Sequence, residues 1–313
     1  MYIYFTYPSP GDIMVFKIGT LFSGIGAPEV AINNLRIDHS IEYACDNNEY
    51  AMQTYKANHS AKYYYDDVCE MTETTHKIDL LVYGFPCQPF SVAGRRNGSN
   101  DKRGKLIFAA IKILNKHLPK FFIAENVPGL LHHRQDMKDI LSAMRVNYDV
   151  QYTTLNSLDF GVPQRRRRLW FVGIRKDLKA SFDFTKLHHR TRPLLRDVLE
   201  STDDKRYYAR PILLEKEKFK HALDIAKGDI ISCITHTIAR DGSSREYMSY
   251  VAAVHNAIGE MRKPTPEECL RLFGFPKSFK FPANLYDTRK YEQVGNTMVV
   301  PCLEEIIQEL IKI

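Results

Sequence analysis

Apolar residues fall into short, nearly continuous runs separated by stretches of helical spacing, the pattern of a parallel sheet whose strands are buried on both faces. The first run, residues 15–21, predicts a strand. It leads through Phe22-Ser23-Gly24-Ile25-Gly26-Ala27 into a helix whose apolar positions include Val30, Ile32 and Leu35. Further strands are expected at residues 40–44, 78–83, 120–124 and 169–174, with helices near 105–115 and 136–146. Strands alternating with helices at this spacing predict an α/β domain with a doubly wound, mostly parallel sheet. The last residues, 299–313, place Leu303, Ile306, Ile307 and Leu310 on one helical face.

The texture changes after Arg175. Residues 181–250 are rich in Arg, Lys, His and Tyr, with weak periodicity and no run resembling a buried strand. This divides the chain into a core domain of residues 15–180 plus 286–313 and a smaller domain with its hinge at 181–285. Residues 1–14, with Pro8, Pro10 and Gly11, read as a loose extension, and Met14 is an alternative start. Composition leaves the smaller domain open to two readings, a basic and aromatic surface for nucleic acid or an ordinary solvated domain.

At 313 residues the chain exceeds a typical single core, which agrees with that division. Lys and Arg number 44 against 37 acidic residues, a formal charge of +7 that is compatible with a polyanionic partner without establishing one. Cys45, Cys69, Cys87, Cys233, Cys269 and Cys302 are scattered, so neither a disulfide framework nor a metal site is readable. No apolar stretch is long enough to span a bilayer, and residues 1–14 lack the features of a signal peptide. The expected location is cytoplasmic.

Candidate chemistry concentrates where strands end. Cys87 lies in Tyr83-Gly84-Phe85-Pro86-Cys87-Gln88-Pro89, directly after a predicted strand, at the edge where open α/β sheets carry their sites. A free cysteine usually only packs. Pro86 and Pro89 stiffen this loop and keep it from being helical, so the thiol is presented as a nucleophile. The loop Phe22 to Gly26 lets backbone approach a ligand, and Glu42 on the next strand is suited to ribose hydroxyls. Because the third glycine of a dinucleotide fingerprint is missing, a nucleoside without pyrophosphate, such as that of S-adenosylmethionine, fits better than a dinucleotide. Glu125 follows the apolar Phe121-Phe122-Ile123-Ala124, where desolvation would raise its pKa and make it a proton donor. In Gln164-Arg165-Arg166-Arg167-Arg168, strand alternation points Arg166 and Arg168 one way, toward a phosphate, a carboxylate or a base carbonyl.

These elements, in this order, resemble the C5-cytosine DNA methyltransferase family of bacterial or phage modification type, from Lys17 to the C-terminus. Phe22 to Gly26 is similar to the family's cofactor motif, Pro86-Cys87-Gln88 to its catalytic loop, and Glu125-Asn126-Val127 to its acid motif. Gln164, Arg166 and Arg168 resemble the glutamine and alternating-arginine motif. Arg262-Lys263-Pro264-Thr265-Pro266-Glu267-Glu268-Cys269 with Gly274-Phe275-Pro276 resembles the support of the recognition domain. Gln293-Val294-Gly295-Asn296-Thr297 resembles the final cofactor motif.

The resemblance implies the S-adenosylmethionine-dependent methyltransferase fold with a target-recognition domain, double-stranded DNA as partner and a monomeric enzyme. A cognate restriction endonuclease would be a separate protein. Cys87 would add to C6 of a flipped cytosine, Glu125 would act at N3, and Arg168 with Arg166 would hold O2. The implied cofactor positions are Phe22, Gly24 and Gly26 near the methionine portion, Glu42 on ribose, Tyr43 beside adenine and Asp67 on the adenine amino group. Pro86, Leu106 and Asn296 complete them. Two departures stand out: Ala27 where a further glycine is common, and Tyr43 where tryptophan is frequent. Base contacts are expected from the smaller domain around residues 235–244. The competing reading is the RNA-methylating branch acting on transfer RNA, whose Cys-Phe-Thr tripeptide is absent here.

Overall fold

Five parallel strands carry the site: β1 (Phe16–Leu21), β2 (His39–Cys45), β3 (Tyr63–Tyr65), β4 (Leu80–Gly84) and β5 (Phe121–Asn126). Beyond them come β6 (Tyr148–Asn156), the short β7 (Gln164–Arg165) and β8 (Arg167–Arg175). The computed structural model describes residues 15–86, 105–200, 202, 204–208, 230–234, 251–252 and 261–313. The sheet has seven strands in the order β3-β2-β1-β4-β5-β8-β6, with β8 antiparallel to both of its neighbours. The chain leaves β1 in one direction to β2 and returns to the other side at β4. The gap between β1 and β4 is therefore the switch point where such sheets bind ligands.

Side chains alternate across the sheet as the strand period demands. Ile18, Val82, Ile123 and Val172 face a layer with Val30 of α1 (Ala27–Asn34) and, from a later helix, Leu303 and Ile307. Leu81, Phe122 and Phe171 face the opposite layer, which includes Ile111 and Leu114 of α3 (Lys105–His117) and Ile140 of α4 (Arg134–Met144). The helix α2 (Glu49–Asn58) starts at Asn48, whose side chain accepts from Ala51 N at 3.1 Å. Helix and strand positions foreseen from periodicity agree with these elements, while α2, β3 and β6 add to them. β6 lies at the sheet edge, and the mixed Tyr148-Asp149-Val150-Gln151-Tyr152 pattern reflects its incomplete burial.

The core does not end at residue 181. Phe182, Leu187, Leu195, Leu199 and Tyr207 are buried in the same cluster as the C-terminal helix, as are Cys269, Phe273, Phe275 and Phe279. Arg190 pairs with Glu304 and Glu305. Among the described residues, three further helices follow the short α5 (Leu195–Val198): α6 (Pro266–Leu272), α7 (Asp287–Asn296) and α8 (Val300–Leu310). The expected boundaries at 181 and 285 thus fall inside this packing rather than at its margin.

The start of α6 shows how the Arg262-to-Cys269 segment is held. Thr265 and Glu268 form a reciprocal capping box, and Glu268 also meets Arg262 in a buried bidentate pair at 2.7 and 2.8 Å. Two short pairings complete the described strands: β9 (Ile231–Ser232) runs parallel to β7, and β10 (Val251–Ala252) runs antiparallel to β11 (Met261–Arg262).

Candidate active site

The carboxyl ends of β1 and β4 open onto a cleft lined by Phe22, Ser23 and Gly24 on one side and Val82 and Gly84 on the other. Glu125 and Asn296 line the same cleft. Phe22 (φ 52°), Gly24 (φ 56°) and Gly26 (φ 86°) all adopt left-handed backbone, which folds the loop tightly between β1 and α1. The loop is pinned from β2: Asp46 Oδ2 accepts from Gly24 N at 2.7 Å, and Ser23 Oγ accepts from Cys45 N at 2.9 Å. A Cβ added at Gly24 would meet nothing within 4 Å, so this backbone faces open space that a ligand can fill.

Glu125 sits one residue before the end of β5, with its side chain 12% exposed. Burial raises its pKa, against the opposing effect of Arg168 and Arg166. Arg168 Nε lies 3.0 Å from Glu125 Oε1, an oxygen that accepts no hydrogen bond among the described residues, so at this oxygen the contact is one of charge. The antiparallel course of β8 creates this meeting: Glu125 is opposite Trp170, which brings Arg168 beyond the carboxyl end of β5.

The predicted alternation holds, with Arg165 and Arg167 exposed, Arg166 buried and Arg168 partly so. Their tasks differ from the expectation. Arg166 donates Nη1 to Ile234 O at 2.8 Å and Nη2 to Gly295 O and Thr297 O at 3.2 and 3.1 Å, and it stacks 4.7 Å over the Phe273 ring. With these donors committed to backbone, Arg166 ties the elements around the cleft together and is not presented to a base carbonyl. Gln164 is a second tie: its Nε2 donates to Leu272 O, and its Oε1 accepts from Ile234 N.

Two cofactor expectations are corrected. Tyr43 is fully buried, with its hydroxyl 3.1 Å from His117 Nδ1. Its ring crosses Gly19, where an added Cβ would come within 2.3 Å of it. It therefore offers no face to adenine. Glu42 lies within β2 and accepts from Ser40 Oγ at 2.8 Å and Lys62 Nζ at 2.6 Å, away from the cleft lining. Asp46, immediately past β2, is the carboxylate at the glycine loop. The signal was legible as an acidic residue just after an apolar strand.

Of the other expected positions, Phe22, Gly24 and Asn296 line the cleft, and Gly26 caps α1 behind it. Asp67 is exposed after β3, with Oδ1 accepting from Cys69 N at 2.8 Å. Leu106 packs against the α3 side of the core, and Pro86 is half-buried just past β4. Cys87 and residues 235–244 lie outside the described residues. A second groove, formed by α4 and β6 and including Leu131, Arg134 and Tyr152, contains none of the expected positions.

Residues 16–312 match the family model for C-5 cytosine-specific DNA methylase. The chain is 33% identical to the Type II methyltransferase M.NlaX of Neisseria lactamica, over 95% of this chain and 96% of that protein. It is 30% identical to the Type II methyltransferase M1.ScrFI of Lactococcus lactis subsp. cremoris, over 95% of this chain and 78% of that protein. The same fold occurs in S. pombe Dnmt2 methyltransferase, with a TM-score of 0.73 at 20% identity, covering 95% of this chain and 98% of that one. The chain belongs to the C-5 cytosine-specific DNA methylase family and is an S-adenosylmethionine-dependent DNA (cytosine-5-)-methyltransferase.

Proposed function

We propose that this enzyme methylates a cytosine flipped out of a specific duplex sequence, through a transient bond between Cys87 and C6 of the base. The observation that carries this reading is the cleft in which the glycine loop and Glu125 come together, with Arg168 against the acid. The open backbone at Gly24 and the Asp46 anchor fit S-adenosylmethionine, which when bound supplies the methyl group. Asp46 and Asn296 would orient it. Glu42 and Tyr43 have no part in this.

Cytosine C5 is a weak nucleophile. The Cys87 thiolate adds to C6, and electron density moves to C5 and toward N3, where protonated Glu125 donates its hydrogen bond. Arg168 holds the glutamate and offers charge to the base O2. After methyl transfer, loss of the C5 proton to a base expels Cys87 and restores the aromatic ring. Flipping costs a few kcal/mol, roughly, because the base leaves its stack. Recognition falls to the chain between β9 and β11, with residues 235–244 as candidate base contacts.

Purified enzyme is expected to transfer label from S-adenosylmethionine to duplex DNA. Cys87→Ser should nearly abolish transfer while leaving cofactor binding intact, and DNA containing 5-fluorocytosine should trap a covalent complex. Turnover by the serine variant would overturn the mechanism, and label appearing only in transfer RNA would overturn the substrate.

A further inference from the structure

Cys233 is a cysteine that the chemistry above does not use, and it stands between the two arginines. Its sulfur lies 3.5 Å from Arg166 Nη1 and 3.8 Å from Arg168 Nη2. The backbone on both sides is anchored: Ile231 N donates to Pro163 O at 2.8 Å, Ile234 N donates to Gln164 Oε1 at 3.1 Å, and Ile234 O accepts from Arg166 Nη1 at 2.8 Å. The sulfur is therefore held in place by the chain that carries it. It is partly buried at the point where the chain enters residues 235–250.

Two neighbouring guanidiniums repel each other, and Arg166, 3% exposed, has little water to screen it. Among the described residues its Nε has no hydrogen-bond partner, and neither has Glu125 Oε1. A sulfur between the two cations offers both an acceptor, and the guanidiniums draw its pKa down despite burial. Arg166 is fixed by three carbonyls and by Phe273. Arg168 donates Nη1 to Arg167 O at 2.8 Å, and its other arm, Nη2, reaches the sulfur, so the sulfur helps to set where Nε lies beside Glu125.

We propose that Cys233 is a positioning residue: its sulfur holds Arg168 against Glu125 and so links the start of the recognition segment to the catalytic acid. The inference rests on the reading of Glu125 as that acid. A shift of the 231–234 segment when the following residues engage DNA would pass through the sulfur to Arg168 and to the carboxyl it faces.

The test is steady-state methyl transfer to duplex DNA by the wild type, Cys233→Val, Cys233→Ser and Glu125→Gln, with S-adenosylhomocysteine binding measured for each. Valine keeps the volume and removes the acceptor, so kcat should fall by about 10-fold, with KM for S-adenosylmethionine within about 2-fold. Serine, which still accepts, should retain at least about half of wild-type kcat. Unchanged kcat in Cys233→Val, or an equal fall in the serine variant, would overturn the proposal. If the valine variant fails to bind S-adenosylhomocysteine, Cys233→Ala carries the same expectation. An active Glu125→Gln enzyme would sink the reading of the acid itself. An inactive Glu125→Gln alongside a fully active Cys233→Val would sink only the role of the cysteine.

Discussion

Arg168 approaches Glu125 to 3.0 Å through Nε without giving Oε1 a hydrogen bond. A close charge with no hydrogen bond at Oε1 among the described residues leaves that oxygen partly compensated, while burial pushes the pKa of the carboxyl up. That balance suits a group that must be protonated when it meets a base and must release charge afterwards. Glu125→Gln is expected to lower methyl transfer by about 10²–10⁴-fold with cofactor affinity unchanged. Because the protonated form is needed, wild-type kcat should decline as pH rises through the raised pKa. A profile flat at every pH above 4.5 would count against this role.

Asp46 and Glu42 make a paired test of the cofactor assignment. Asp46 accepts from Gly24 N and Asn48 N, so Asp46→Ala removes the anchor of the glycine loop. A hydrogen bond to a charged group is worth about 1.5–3 kcal/mol, and the Kd for S-adenosylhomocysteine should rise by about 10- to 100-fold. Glu42→Gln should leave it within about 2-fold, since its oxygen is engaged by Lys62 and Ser40. Calorimetric titration of both variants decides, and the reverse ranking would restore Glu42 to the site.

Tyr43 is predicted to matter for stability and not for binding. Tyr43→Phe loses the hydrogen bond to His117 and should cost about 1–2 kcal/mol in urea unfolding. Cofactor affinity should be unaltered. A large loss of affinity without loss of stability would contradict the buried position of the ring.

Gly26 and Gly24 both have positive φ but differ in surroundings. A Cβ at Gly26 would lie 2.4 Å from the His59 ring, whereas at Gly24 it meets open space. Gly26→Ala should therefore destabilise by about 2–4 kcal/mol, combining left-handed strain with overpacking. Gly24→Ala should cost only about 1–2 kcal/mol in stability yet weaken cofactor binding, because the methyl enters the cleft. Thermal melts with and without S-adenosylhomocysteine separate the two effects.

Two histidines, His117 buried and His59 half-buried, set an acid limit. Burial lowers the pKa of His59 and of His117 to about 4, from the ordinary 6.5. As pH falls below 6.5 the unfolded chain takes up these protons first, so their stabilising contribution is present above that value and is lost toward pH 4. Glu29 works the other way: burial raises its pKa above 4.5, so its contribution is lost as pH rises through the raised value. Urea midpoints should drop between pH 7 and pH 5 by less in His117→Gln than in wild type, roughly in proportion to the removed proton uptake. Equal drops would show that His117 does not carry the effect.

The repeating runs and helical spacings of the sequence specified β1, β2, β4, β5 and β8, the helices α1, α3, α4 and α8, and the motifs, because those depend on local period and on residue type. Arg166 and Arg168 were also legible as a pair, since alternation along a strand is a local property. Which of them meets Glu125 was not. That depended on the antiparallel insertion of β8 beside β5 and on the carbonyls of Ile234, Gly295 and Thr297, which occupy Arg166 and come from distant parts of the chain. The same holds for Glu42 and Asp46. Both are acidic and close to the end of one strand, but β2 continues to Cys45, which keeps Glu42 within the strand and frees Asp46 at the glycine loop. Tyr43 was displaced from its expected task by Gly19 on the neighbouring strand, where a missing Cβ makes room for the ring. Sequence period determines which faces are apolar; the pairing of strands and the close approach of backbones determine which polar groups remain available for chemistry.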